Sequence, residues 1–266
     1  MFEVVEDLDY MYHMDRYCTY NFRTLSRIKE KVGDEYFQKH FKLIISGIPL
    51  GKIQDLDGKI HKKIAYEFSA STRLVNESEE IEINSFIKKY ILQFDKVLEE
   101  GYSLYFYGAN DKGKTYTALL ILAQLYKRRQ KFFGHYITFR EFCQLYDKSA
   151  WGETDEYAEF LVKSIMSEIP LIIVDEIGGK EGKATDNRLA IFEDLIKSRA
   201  GNNLPIIMIG NTKPIPDDEY DQSTSILTRY GESCFSAMTE KFRFFLFSNK
   251  KNPEFRIQQN KWDLDE

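Results

Sequence analysis

Several things are scarce in this chain of 266 residues. There are three cysteines, Cys18, Cys143 and Cys234, far apart and odd in number. No Cys-x-x-Cys pair occurs, so the sequence supports neither a zinc ribbon nor a disulfide framework, and a reducing cytoplasmic setting fits best. The four histidines (His13, His40, His61, His135) are as scattered, which argues against a protein-ligated transition metal. No apolar run approaches the roughly 20 residues that span a bilayer. The opening MFEVVEDLDYMY is acidic, without a basic leader before an apolar stretch, so neither a signal peptide nor a membrane segment is expected. Excess positive charge is missing too: the net charge is −5, whereas a protein living by non-specific duplex binding is usually basic. Any nucleic-acid contact must then come from a local patch or from subunits acting together. There is no repeat and no low-complexity tract.

What is present is a chain with 43% hydrophobic and 30% charged residues, the balance of a soluble globular protein. Up to about Leu43 it is polar-aromatic with helical spacing (Leu25, Ile28, Val32, Phe37, Phe41), and Gly33-Asp34 is expected to separate two short helices. SGIPLGKIQDLDGK (46–59) reads as a linker from its Gly, Pro and Asp. Residues 83–100 predict one amphipathic helix stopped by Gly101. From Ser103 on, short apolar runs alternate with helical patterns: strands at SLYFY, FFGHYIT, PLIIVDE, LPIIMIGNT and FRFFLF, with helices between. That alternation predicts a mainly parallel sheet with helices on both faces. The expected division is a helical region (1–45), a linker and lead-in (46–82), and an α/β domain (83–266).

The chemistry sits at three strand ends. Gly108-Ala109-Asn110-Asp111-Lys112-Gly113-Lys114-Thr115 matches G-x-x-x-x-G-K-[ST] in full, strand before and helix after, with Tyr116 next in line. The glycines let backbone N–H groups curl around phosphate oxygens, and the following helix points its positive end at the same anion. Lys114 would reach the β- and γ-phosphates of ATP, and the Thr115 hydroxyl would bind Mg²⁺. PLIIVDE ends in Asp175-Glu176, where Asp175 would hold Mg²⁺ and Glu176 would polarise the attacking water. LPIIMIGNT delivers Asn211, either a sensor that orients the water or a turn residue capping its strand. Arg229 is the candidate arginine finger toward a neighbouring subunit, or else a solvated helix residue. Arg243 and Arg199 are weaker candidates for nucleotide-sensing or inter-subunit roles, and Arg199 could equally oppose its helix dipole.

In this order, YFYGANDKGKTYTALLILAQL, HYITFREFCQL, LIIVDEIG and FEDLIKSRAGNNLPIIMIGNT resemble the AAA+ ATPases of the bacterial helicase-loader family (DnaC/DnaI type), over about residues 46 to 248. Transposition ATPases of the IstB and TnsC type share these features. The resemblance implies an AAA+ phosphate-loop ATPase domain with a parallel five-stranded sheet flanked by helices, preceded by a small helical region. It also implies a side-by-side homo-oligomer, contact with single-stranded DNA, and a hexameric replicative helicase as partner. The alternatives are a transposition ATPase on duplex DNA and a nucleotide-dependent adaptor with little hydrolysis. Two departures stand out. Asn110-Asp111-Lys112 replaces the usual small residues, placing an anion near phosphate, and no Cys-rich zinc module precedes the helices. Such divergence suggests a phage-encoded or otherwise distant loader.

Two surfaces complete the expectations. In 127–148, Lys127, Arg128, Arg129, Lys131 and Arg140 interleave with Phe132, Phe133, Tyr136 and Phe139, which suits a DNA strand or, equally, a core unit with solvated charges. Tyr10, Tyr12, Tyr17, Tyr20 and Phe22 are candidates for a helicase-binding surface.

Overall fold

The computed structural model describes residues 22–63, 77–110, 112–129, 131–150, 155–178, 186–216 and 225–247. Helices α1 (Phe22–Val32) and α2 (Asp34–Ile45) are divided at Gly33, whose φ of 84° ends one helix while Asp34 and Glu35 favour the start of the next. Residues 50–63, expected as linker, form helix α3 (Leu50–Lys63). The amides of Lys52 and Ile53 donate to Pro49 O, a start that proline favours by its fixed φ. Ile53 and Leu56, one turn apart, are fully buried, and that burial outweighs the helix cost of Gly51. The segment 83–100, expected as one helix, is two: α4 (Glu77–Leu92) and α5 (Phe94–Glu100), broken at Gln93, an arrangement that buries Tyr90, Phe94 and Val97 together. Gly101 stops α5 in the left-handed conformation, as expected, and a Cβ there would strike Asn203 backbone.

Next come β1 (Ser103–Gly108), α6 (Lys114–Arg128), β2 (Gly134–Thr138), α7 (Phe139–Ala150), α8 (Glu156–Ser167), β3 (Leu171–Ile177), α9 (Asp186–Gly201), β4 (Ile206–Gly210), α10 (Ile226–Lys241) and β5 (Phe242–Phe247). The five strands lie in the order β2-β3-β4-β1-β5, all parallel. Because successive side chains face opposite ways, each strand feeds two cores. Leu104, Phe106, Ile173, Ile207 and Phe245 pack with α2, α3, α4 and α6. Tyr105, Tyr107, Ile172, Val174, Met208 and Phe244 pack with α7 to α10. This is the three-layered α/β domain read from the alternation of runs.

Leu43, Ile44 and Ile45 of α2 belong to these same cores, so this helix is built into the domain rather than set apart from it. Tyr10, Tyr12, Tyr17 and Tyr20 lie outside the described residues. Among the described residues no helix is long and apolar enough to cross a membrane.

Candidate nucleotide site

With β1 flanked by β4 and β5, the chain crosses over at the carboxyl ends of the central strands, where open parallel sheets bind ligands. Gly108 ends β1 at φ 124°, and a Cβ there would lie 2.2 Å from Phe247 O, so β5 passes too close for any other residue. Gly113, at φ 88°, turns the loop into α6. Ala109 and Asn110 are exposed and Lys112 is half-buried, while Asp111 lies outside the described residues. Lys114 is buried, and its ammonium donates to Gly108 O (2.8 Å) and Ala109 O (2.6 Å). The cation is thus curled inside the loop whose amides would cradle phosphate. Tyr116 is half-buried against the adjoining core, and that burial raises its hydroxyl pKa.

Asp175 is buried at the end of β3, and its Oδ2 accepts from Thr115 Oγ1 at 3.0 Å. A hydroxyl and a carboxylate at the mouth of a glycine loop form the hard-oxygen pair that Mg²⁺ prefers, so the residues present fit that ion. Glu176 follows in a bulge, where the β3–β4 register shifts between Val174 and Ile177. Its φ is 64°, costly for a side-chain-bearing residue, and the bend turns Glu176 out into solvent while Asp175 stays inside. The Glu176 amide donates to Asp175 Oδ1 at 2.8 Å, so the strained residue helps to fix the carboxylate. Asn211, exposed just beyond β4, donates from Nδ2 to Asn110 Oδ1 at 2.7 Å and so links its strand to the phosphate loop. Thr212 is held behind it, its carbonyl accepting from Tyr105 OH at 2.6 Å.

The arginines divide three ways. Arg229, in the first turn of α10, faces inward: its Nη1 lies 3.5 Å from the position a Cβ would take on Gly178, just past β3. It is half-buried beside the strand end that carries Asp175 and Glu176. Arg199 is fully buried and donates to Ile165 O, to Ile169 O (2.9 Å) and to Pro205 O (2.8 Å). Its guanidinium closes the C-terminal end of α8 and the approach to β4, so it is available neither to a neighbouring subunit nor to a nucleotide. Burial lowers its pKa to about 9. Arg243 pairs in register with Leu104, four residues before Gly108, which places it about 13 Å from the loop along the strands. Its guanidinium lies 4.5 Å over the Phe86 ring, so it is a packing residue and not a nucleotide sensor.

The aromatics between 127 and 148 are core. Phe132, Phe133, Tyr136 and Phe139 are all buried, which removes them as a base-stacking platform, and Arg129 forms a two-pronged pair with Asp95. Lys127, Arg128, Lys131 and Arg140 remain exposed. Two site residues escape sequence reasoning altogether: Tyr136 OH donates to Asp175 Oδ2 at 2.8 Å, and Lys52 Nζ pairs with the same oxygen at 3.1 Å. Lys52 carried no signal because its helix read as a linker, and Tyr136 read as either a stacking or a core aromatic, with nothing to tie it to Asp175.

No protein-family model and no curated protein matches this chain. Solved structures do. The DnaC helicase loader superposes with a TM-score of 0.54 at 18% identity, over 68% of this chain and 97% of that one. DnaI superposes at 0.49 and 16% identity, over 68% and 93%. Taken with the strand order, the likeness to DnaC shows that this chain shares that protein's fold, a parallel five-stranded sheet flanked by helices.

Proposed function

We propose that this protein is an ATP-dependent loader that binds a hexameric replicative helicase and helps place it on single-stranded DNA. One observation carries the reading: in a fold like that of the DnaC helicase loader, the glycine loop, Thr115 and Asp175 meet at the carboxyl edge of the sheet. Lys114 would exchange the carbonyls of Gly108 and Ala109 for phosphate oxygens. Thr115 and Asp175 would hold Mg²⁺, which when bound neutralises phosphate charge. Glu176, already turned outward, would accept a proton from the attacking water, and Asn211 would orient that water from the loop side. Arg229 adds positive charge from within the same chain. Assembly side by side in the cytoplasm, with sites close to subunit boundaries, completes the proposal.

The test is co-purification of the full chain with the replicative helicase of its own replication system, with and without ATP and Mg²⁺. Tyr10, Tyr12, Tyr17 and Tyr20 are replaced by serine in a parallel preparation. A nucleotide-dependent complex weakened by the serine variant supports a loader. Absence of a complex, alongside ATP-dependent binding to duplex DNA, overturns it in favour of a transposition-type ATPase.

A further inference from the structure

Asp175 carries more than a phosphate-loop carboxylate needs. Its Oδ2 accepts from three side chains at once: Tyr136 OH at 2.8 Å, Thr115 Oγ1 at 3.0 Å and Lys52 Nζ at 3.1 Å. Its Oδ1 takes the Glu176 amide. Lys52 also donates to Tyr136 OH, its Nζ 4.6 Å from that ring's centroid, beyond the hydroxyl edge. The ammonium is therefore held by a carboxylate and by a phenol oxygen that themselves share a hydrogen bond. Lys52 comes from α3, which precedes the sheet and is anchored by buried Ile53 and Leu56. Asp175 is nearly closed to solvent, whereas the Lys52 side chain keeps a third of its surface exposed. The lysine thus has somewhere to go and the carboxylate does not.

A divalent cation between Thr115 and Asp175 would meet this ammonium on the same oxygen. Two positive centres sharing one carboxylate oxygen repel, most strongly where water is excluded. From this we infer that Lys52 is the resident counter-cation of Asp175 and that, with Tyr136, it sets the Mg²⁺ requirement of the nucleotide site. Mg²⁺ gains the carboxylate only as Lys52 yields it, and Tyr136 holds Lys52 in place. Both are positioning residues, and their role rests on the nucleotide reading above. Because Lys52 is rooted in α3, occupation of the site by Mg²⁺ and nucleotide also releases a tie between that helix and the sheet.

The experiment titrates a fluorescent ATP analogue into the full-length protein in excess EDTA and in excess Mg²⁺. The readout is the ratio of the two affinities, which a merely structural role would leave unmoved. Lys52→Met is expected to raise the Mg²⁺-over-EDTA ratio about tenfold, the weight of one charge contact at 1.4 kcal/mol per decade. Tyr136→Phe raises it about two- to threefold, since a single hydroxyl is lost. Lys52→Arg keeps it within about twofold of the unsubstituted protein, since the charge is retained. If Lys52→Met does not fold, Tyr136→Phe and Lys52→Gln give the same readout. An unchanged or lowered ratio in a protein that still binds the analogue overturns this inference and leaves the nucleotide site standing. A parent protein that binds no analogue under either condition overturns both.

Discussion

Two buried cations sit at different places in this fold, and they have opposite natures. Arg199, at the foot of β4, is enclosed by three carbonyls that belong to fixed backbone. Lys114, at the carboxyl edge, is enclosed by two carbonyls that belong to the phosphate loop. For Arg199 no ligand can replace those partners, so its charge is part of the architecture. For Lys114 the same enclosure is a holding position, because the loop that satisfies it is the one that would receive phosphate. Burial of a cation is therefore not by itself a sign of function. What its partners are attached to decides.

That contrast can be broken by exchanging each charge for a neutral side chain. Arg199→Met should have the largest effect, a loss of about 3–5 kcal/mol in stability, because three buried carbonyls lose their donor. Urea unfolding would measure it, and a loss below 1 kcal/mol would mean that the guanidinium is not structural. Lys114→Ala should leave stability within about 1 kcal/mol and weaken ATP binding about a hundredfold, near 2.7 kcal/mol. A calorimetric titration that finds unchanged affinity would remove Lys114 from the site. Glu176→Gln should keep ATP binding while slowing hydrolysis by about a hundredfold or more, read in a phosphate-release assay. Unaltered turnover would show that another group accepts the proton.

A third buried group sharpens the comparison. His135 is fully buried, and neither ring nitrogen has a hydrogen-bond partner among the described residues. Burial first, and the charge of Arg199 second, lower its pKa from 6.5 to about 4. The unfolded chain therefore binds more protons between those two values, and stability falls as pH drops from about 6.5 towards 4. The whole window is worth up to about 3 kcal/mol at 1.36 kcal/mol per pH unit. His135→Leu should flatten this acid limb in pH-dependent melting, and a parallel slope in the variant would assign it to other groups. The smallest effect is expected from Arg243→Ala, about 0.5–1 kcal/mol from the lost contact with Phe86, with ATP affinity unchanged.

Much of the strand-end constellation was legible beforehand. The glycine loop is visible because its spacing is dictated by backbone geometry around an anion, and Asp175-Glu176 because a buried strand that ends in two acids is chemically conspicuous. Lys52 was not legible. Its helix follows a proline and contains two glycines, all of which locally read as loop, and the burial of Ile53 and Leu56 in the core favours the helix. The aromatics 132–139 stayed open between a DNA surface and a core for a related reason, since a basic-aromatic stretch looks alike in sequence whether its rings face DNA or a core, and their burial decides for the core.

By itself, then, the amino-acid sequence determined the alternation of strands and helices, the phosphate loop and the acidic strand end, because each depends on spacing along a few consecutive residues. Only the tertiary structure decided which arginine is scaffold, which way Arg229 turns, and that Lys52 and Tyr136 converge with Thr115 on Asp175. Those pairings join residues 39 to 123 positions apart from Asp175. Nothing in the local sequence encodes such distances; they follow from the strand order that brings β2 beside β3 and from the packing of α3 into the core.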